Sequence, residues 1–379
     1  MKHLKLLTFF SLILLLGVAA ACSSSSHTAK GKEVEELADK SIGITDLVLL
    51  YNGNVRRSYT WDKELLRPYV AMKDDNGDYQ WMFDGFLLLE LKTGKLVPGK
   101  TTGRSFASYY EPEGAQRSDW QFLLDHYLAP GKLVSELDEC IAEYKKLIKG
   151  GKKKEKHKVV LALPEPVPNQ KDWGEAYGMT LDFSIKEDRL TACKWFIDTA
   201  IKMFDEANFD NVQLAGFYWL AEEATNSRDL VSDVADYTHA QGNYSLTWIP
   251  YFVADGNLEW RDLGFDKAYL QPNYFFNEKI TWDRLDQACQ KAFENDMSLE
   301  MEFDERALKK HGWGYRFHDY MDAYEKYNVW ETKEVAYYQG GTTLYQLWKS
   351  EDEDDQALYR RFANIIAKRQ KEGIAAHKK

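Results

Sequence analysis

Along the chain, short runs rich in β-branched and aromatic residues alternate with longer segments whose apolar positions recur every three or four residues. Eight of the short runs are predicted as strands: Asp46 to Gly53, Trp81 to Glu90, Lys158 to Pro164, Val212 to Ala221, Tyr244 to Phe252, Lys267 to Phe275, Ser298 to Asp304, and Glu334 to Gln339. Most are near-continuously apolar, as parallel strands covered by helices on their outer face should be. The helical period shows in Ser135 to Lys149, where Leu137, Cys140, Ile141, Tyr144 and Leu147 share one side. It returns in Lys186 to Ala207, Ser227 to Gln241, Thr281 to Asn295, His318 to Tyr327 and Asp354 to Lys371.

This alternation predicts an α/β fold, a (β/α)8 barrel of the TIM type, with insertions after strands 2 and 3. A doubly wound open sheet is the rival, and it would carry a glycine-rich turn after an early strand. No G-x-G-x-x-G or P-loop occurs. The insertions are Lys92 to Leu133, with Tyr109, Tyr110 and Trp120, and Val167 to Ile185, with Trp173, Tyr177 and Phe183. Following the C-terminal ends of strands, both should lie on the face where barrel enzymes work.

The first residues carry a different signal. Lys2 and Lys5 precede an apolar run from Leu6 to Val18 that ends in Ala19, Ala20 and Ala21, with Cys22 next. So short a run, with a basic front and small residues at its end, reads as a secretory signal rather than a membrane span. Leu-Gly-Val-Ala-Ala-Ala-Cys resembles the bacterial lipobox, which makes Cys22 the expected lipidation site and first mature residue. The domain layout is therefore a signal over 1–21, a polar flexible tether over 22–33, and one barrel domain over 34–379. The expected location is the cell envelope, with the lipid on Cys22 in a bacterial membrane, at the outer membrane or cell surface.

Composition sharpens the reading of partners. A net charge of −11 argues against a nucleic-acid footprint, and the basic run from Lys149 to Lys158 reads as a helix end and solvated loop. Aromatics make up 14% of the chain, more than a core of this size needs, so some are expected to face sugar rings in a cleft. Besides Cys22, the cysteines are Cys140, Cys193 and Cys289, widely separated and in helical patterns, and they are expected as buried thiols.

The candidate chemistry lies in acids at strand ends. Strand seven reads Ser-Leu-Glu-Met-Glu-Phe-Asp, so a period of two puts Glu300, Glu302 and Asp304 on one face and Leu299, Met301 and Phe303 on the other. In a barrel the acids would point inward, a costly placement unless they are paired or used. Strand four ends Leu-Ala-Glu-Glu, with Glu222 at the rim, and strand three ends Leu-Pro-Glu-Pro, with Glu165 held extended between prolines. On strand six, Tyr269, Gln271 and Asn273 share a face and offer hydrogen bonds to a hydroxyl-rich ligand.

Two carboxyls facing each other across a polar cleft are what glycoside hydrolysis needs. Glu302 is assigned as nucleophile or water-activating base and Glu222 as acid. Glu165, Gln271, Asn273, Tyr269, Trp173, Tyr337, Glu300 and Asp304 are assigned to substrate binding. Many retaining glycosidases on this barrel place the acid after strand four and the nucleophile on strand seven, an analogy of fold. No H-E-x-x-H, G-x-S-x-G or EF-hand-like loop competes, and neither metal nor cofactor is called for. The expected partner is a polysaccharide or oligosaccharide. A glycan-binding lipoprotein using the same cleft without turnover stays open, as does a structural envelope protein.

Several phrases also resemble a known family. They are Trp-Met-Phe-Asp-Gly-Phe-Leu, Leu-Pro-Glu-Pro, Leu-Ala-Gly-Phe-Tyr-Trp-Leu-Ala-Glu, Leu-Gln-Pro-Asn-Tyr-Phe-Phe, Met-Glu-Phe-Asp and Tyr-Tyr-Gln-Gly-Gly. They look like the bacterial family catalogued as domain of unknown function 4855, over about Asp46 to Arg369. The resemblance implies exported proteins, among them lipoproteins and chains joined to carbohydrate-binding modules. It implies no established catalytic mechanism.

Overall fold

Each predicted strand run overlaps a strand of a closed parallel barrel, and the third strand starts one residue before its run, at His157. The computed structural model describes residues 42–377 apart from 55–56, 98–99, 109–112 and 150–154. The predicted signal, tether and Cys22, and the pair Tyr109 and Tyr110, lie outside the described residues. The barrel strands are β1 (Asp46–Tyr51), β2 (Gly85–Leu89), β3 (His157–Leu163), β4 (Val212–Trp219), β5 (Ser245–Trp248), β6 (Lys267–Leu270), β7 (Ser298–Glu302) and β8 (Val335–Tyr338). Each pairs in parallel with its sequence neighbours, and β1 closes the ring on β8 through Asp46 opposite Val335 and Leu47 opposite Ala336.

Helices cover the outside. They are α1 (Lys63–Val70), α2 (Arg117–Leu128), α3 (Leu133–Leu147), α4 (Lys186–Ala207), α5 (Val231–Ala240), α6 (Asp283–Glu294), α7 (Gly314–Lys326), α8 (Val329–Thr332), α9 (Thr343–Lys349) and α10 (Glu353–Glu372). The insertion after β2 is more ordered than its polar turns suggest. It holds a small hairpin, Lys95–Val97 with Lys100–Thr102, and then α2, whose Asp119 carboxylate accepts the Gln116 backbone N–H at 2.8 Å. That bond satisfies an otherwise orphaned donor at the helix start. The insertion after β3 carries the two-residue strands Glu175–Ala176 and Met179–Thr180.

The barrel interior is split by chemistry. Register places Tyr51 beside Leu89, and Glu302 beside Tyr338, all with their side chains inside the ring. Counting back by two, β1 and β2 contribute Leu47, Leu49 and Leu87, an apolar arc, while β6 and β7 contribute Lys267, Tyr269, Ser298 and Glu300, a polar one. Deep in that polar arc, Lys267 pairs with Glu334 at 3.3 Å. A strand that must carry Glu300 and Glu302 inward can still fold because Leu299 and Met301, fully buried, meet the helices on its other face.

Two local features aim the site. On β4 the register with β3 slips between Leu214 and Gly216, and a Cβ at residue 216 would sit 2.1 Å from the Ser245 carbonyl oxygen, so only glycine fits. This bulge sets the phase that turns Tyr218 inward. At the opposite end, Asp46 accepts Arg369 Nε at 2.8 Å, the Tyr337 hydroxyl at 2.7 Å and Gln370 Nε2 at 2.7 Å, which fastens α10 beneath the β1 and β8 seam. The three described cysteines, Cys140, Cys193 and Cys289, are buried free thiols.

Candidate functional site

At the C-terminal end of the strands the polar arc opens into a cavity of about 490 Å³. Its walls include Tyr51 of β1, Tyr218 of β4, Gln271 and Asn273 after β6, Glu300 and Glu302 of β7, and Tyr338 of β8. Glu222 and Asn273 are also walls of an adjoining cavity of about 310 Å³, shared with Ser108, Glu165, Glu223 and Tyr251. Glu222 therefore stands where two spaces meet.

Glu302 is 2% exposed and holds two donors on one oxygen. Tyr320 of α7 donates its hydroxyl to Oε2 at 2.6 Å, and the Asn273 backbone N–H donates to the same atom at 2.7 Å. Asn273 turns that N–H inward by adopting a left-handed backbone with φ of 52°, which asparagine tolerates better than most residues. Its own amide is fixed, with Oδ1 accepting Phe252 N–H at 2.8 Å and Nδ2 donating to Gln271 Oε1 at 3.1 Å. Burial pushes the Glu302 carboxyl up to about 7, the Tyr320 and Asn273 bonds pull it down, and the charge of Glu222 adds to the rise.

Glu300 lies one step deeper on the same face, also 2% exposed. Its Oε1 has no hydrogen-bond partner among the described residues. Burial first, then the charges of Glu302 and Glu222, raise it well above the ordinary carboxylate range. Burial thus favours the protonated form of Glu300, whereas Glu302 is poised between its two states near neutral pH. Glu165, 3% exposed, accepts the Ser108 backbone N–H at 2.8 Å and also the Ser108 hydroxyl. Burial raises it as well, opposed by those bonds.

Of the residues predicted from sequence, Glu222, Glu300, Glu302, Asp304, Gln271 and Asn273 meet at the main cavity, and Glu165 stands in its neighbour. Asp304 is clasped by Arg306, with Nε at 2.9 Å from Oδ1 and Nη2 at 2.7 Å from Oδ2, so its charge is matched.

Three assignments need correction. Tyr337 points out of the ring, donating to Asp46, and it is Tyr338 that lines the cavity. Tyr269 faces inward but lies fully buried beneath the cavity floor and lines neither space. Trp173 is 1% exposed and packs edge-on against Trp120 at 5.3 Å and Trp195 at 5.7 Å, so it supports the insertion from within. Among the described residues no tryptophan lines either cavity; the aromatic faces there are Tyr51, Tyr218, Tyr251, Phe276 and Tyr338.

Sequence reasoning missed Tyr320, Ser108 and Arg57. Tyr320 falls on the buried stripe of α7 and reads as core. Arg57 is on the wall of the main cavity and clasps Glu90 through Nε at 2.7 Å and Nη2 at 2.8 Å, with its guanidinium 4.7 Å from the Tyr51 ring centre. Among the described residues no cluster of side chains has the makeup of a metal site.

Residues 46–364 match the family model described as domain of unknown function (DUF4855). No curated protein matches the chain. Among solved structures, a GH18 chitinase from Pseudoalteromonas aurantia is 10% identical, with a TM-score of 0.40 over 84% of this chain and 99% of that one. Concanavalin B is 12% identical, with a TM-score of 0.42 over 85% and 100%. A xylanase-alpha-amylase inhibitor protein in complex with trehalose is 12% identical, with a TM-score of 0.37 over 86% and 98%.

Proposed function

The chain belongs to the family described as domain of unknown function (DUF4855), and we propose that it is an exported, lipid-anchored glycoside hydrolase. The observation that carries this reading is the convergence of Glu222, Glu300 and Glu302 on one open, polar cavity at the C-terminal end of a (β/α)8 barrel.

In the proposed reaction Glu222 protonates the glycosidic oxygen as the bond to the anomeric carbon breaks. Glu302, ionised, either attacks that carbon or takes a proton from the water that does. The two donors on Oε2 favour the ionised form and fix the carboxylate in one orientation. Gln271 and Asn273 supply polar contacts for sugar hydroxyls, and Tyr51 and Tyr338, edge to face at 5.8 Å, supply aromatic surface.

The purified mature domain, incubated with a panel of polysaccharides, should release new reducing ends from at least one. Glu302→Gln should release none. If no member of the panel is cleaved while one binds, the chain is a glycan-binding protein instead.

The anchoring part rests on the basic front, the short apolar run and the lipobox-like end at Cys22. Cys22→Ser should leave the protein unprocessed or free it from the membrane fraction, because the acyl chains supply the binding energy. Unchanged processing and membrane recovery would refute it.

A further inference from the structure

We propose that the cleft selects a glycan bearing free, protonated amino groups, an amino sugar without its N-acyl cap, and that one ammonium seats against the unpartnered oxygen of Glu300. This rests on the reading of the main cavity as a glycan-cleaving site and names its substrate class.

Three positive groups in and around the barrel interior are already paired with carboxylates. Arg57 is clasped to Glu90 at 2.7 and 2.8 Å, Arg306 to Asp304 at 2.7 Å, and Lys267 to Glu334 at 3.3 Å. The groups that hold Glu302 are neutral, a tyrosine hydroxyl and a backbone N–H. Glu300 Oε1, buried and on the cavity wall, has no partner among the described residues. A uronate, sulfate or phosphate on the sugar would meet carboxylates here.

A neutral hydroxyl could give Glu300 one hydrogen bond, yet it would leave the crowding of Glu300, Glu302 and Glu222 unrelieved. An ammonium brings several donors and a charge of the right sign. The titratable groups that act on Glu300 are Glu222 after β4, Glu302 of β7, Tyr338 of β8 and Tyr324 of α7, whose hydroxyl bonds the Glu300 backbone carbonyl at 2.6 Å. Burial and its acidic neighbours raise the Glu300 carboxyl, and an ammonium against Oε1 lowers it again, so seating one should release protons to solvent.

The test compares one set of probes in two chemical forms. A pool of glucosamine and galactosamine oligosaccharides is titrated into the mature protein by calorimetry, before and after full chemical N-acetylation, so that linkage and length stay fixed. The amine pool should bind at least about tenfold more tightly near neutral pH. Titration in two buffers of different ionisation enthalpy should show net proton release. In Glu300→Gln the two pools should bind within about twofold of each other. If that variant does not fold, proton release in the wild type still decides.

Equal affinity, preference for the acetylated pool, binding of neither, or binding without proton release would each overturn the proposal. Cleavage of a neutral glycan without amine preference would leave the hydrolase reading standing alone. Amine-selective binding with no glycan cleaved would do the reverse.

Discussion

The Tyr320 hydroxyl donates to Glu302 Oε2 at 2.6 Å, so a helix outside the barrel sets the state of a carboxylate on its inner face. A donor to the ionised form lowers a carboxyl pKa, and its loss raises it. Glu302 already titrates near 7, pushed up by burial against that donor. Turnover that needs ionised Glu302 grows as pH rises through this value. In Tyr320→Phe the acidic limb of kcat/KM against pH should move upward by about one unit, with activity recovering at alkaline pH. A uniform loss at every pH would mean that Tyr320 only packs.

Glu300 predicts how stability depends on pH. Its carboxyl is raised in the folded state, so above the ordinary value of 4.5 the unfolded chain gives up a proton that the folded chain keeps. Stability from this group is thus fully present at low pH and declines as pH rises toward the folded pKa, at up to about 1.4 kcal/mol per pH unit. Glu300→Gln removes that slope. Its melting temperature should gain on the wild type steadily from acidic to neutral pH. A constant difference across the range would contradict the raised carboxyl.

Much of this was legible in the chain because the strands are buried on both faces, which makes them continuous apolar runs. On β7 the acids break that continuity and reveal the phase, and Glu300 and Glu302 fall where the period of two put them. On β8, Val-Ala-Tyr-Tyr is apolar or aromatic at every position, so the sequence carries no phase. The ladder sets it, by placing Glu302 beside Tyr338, and Tyr337 turns outward to Asp46. Tyr320 was illegible for a different reason: a tyrosine on the buried stripe of a helix looks the same whether or not its hydroxyl ends on a carboxylate. Helix α1 was hidden by its length of 8 residues and its internal Pro68, which its Asp62 cap, accepting Leu65 N–H at 2.8 Å, helps to offset.

Trp173 gives a test that separates core from cleft. Its ring packs on Trp120, Trp195 and Phe183, with centroids 5.3 to 5.7 Å apart. Trp173→Ala should cost about 3–5 kcal/mol of stability, seen in denaturant unfolding. Glycan affinity per folded molecule should stay unchanged. A selective loss of affinity at normal stability would return Trp173 to the cleft.

The division of labour between Glu222 and Glu302 makes the last prediction. Glu302 sits on the strand with two donors fixed on one oxygen, a setting that stabilises charge and suits a nucleophile or base. Glu222 lies beyond the end of β4, on the wall between two cavities, where a leaving group passing from one to the other would meet it. On a glycan that the wild type cleaves, Glu302→Gln should abolish turnover whatever the leaving group. Glu222→Gln should slow natural linkages by about 10²–10⁴-fold and spare activated aryl glycosides of the same sugar, whose leaving group departs without a proton. Azide added to Glu222→Ala or Glu302→Ala should restore part of the rate, and the anomer of the azide product identifies which face each residue served. Equal loss on natural and activated substrates in both variants would remove the assignment of Glu222 as acid, and wild-type turnover in either would remove that residue from the chemistry.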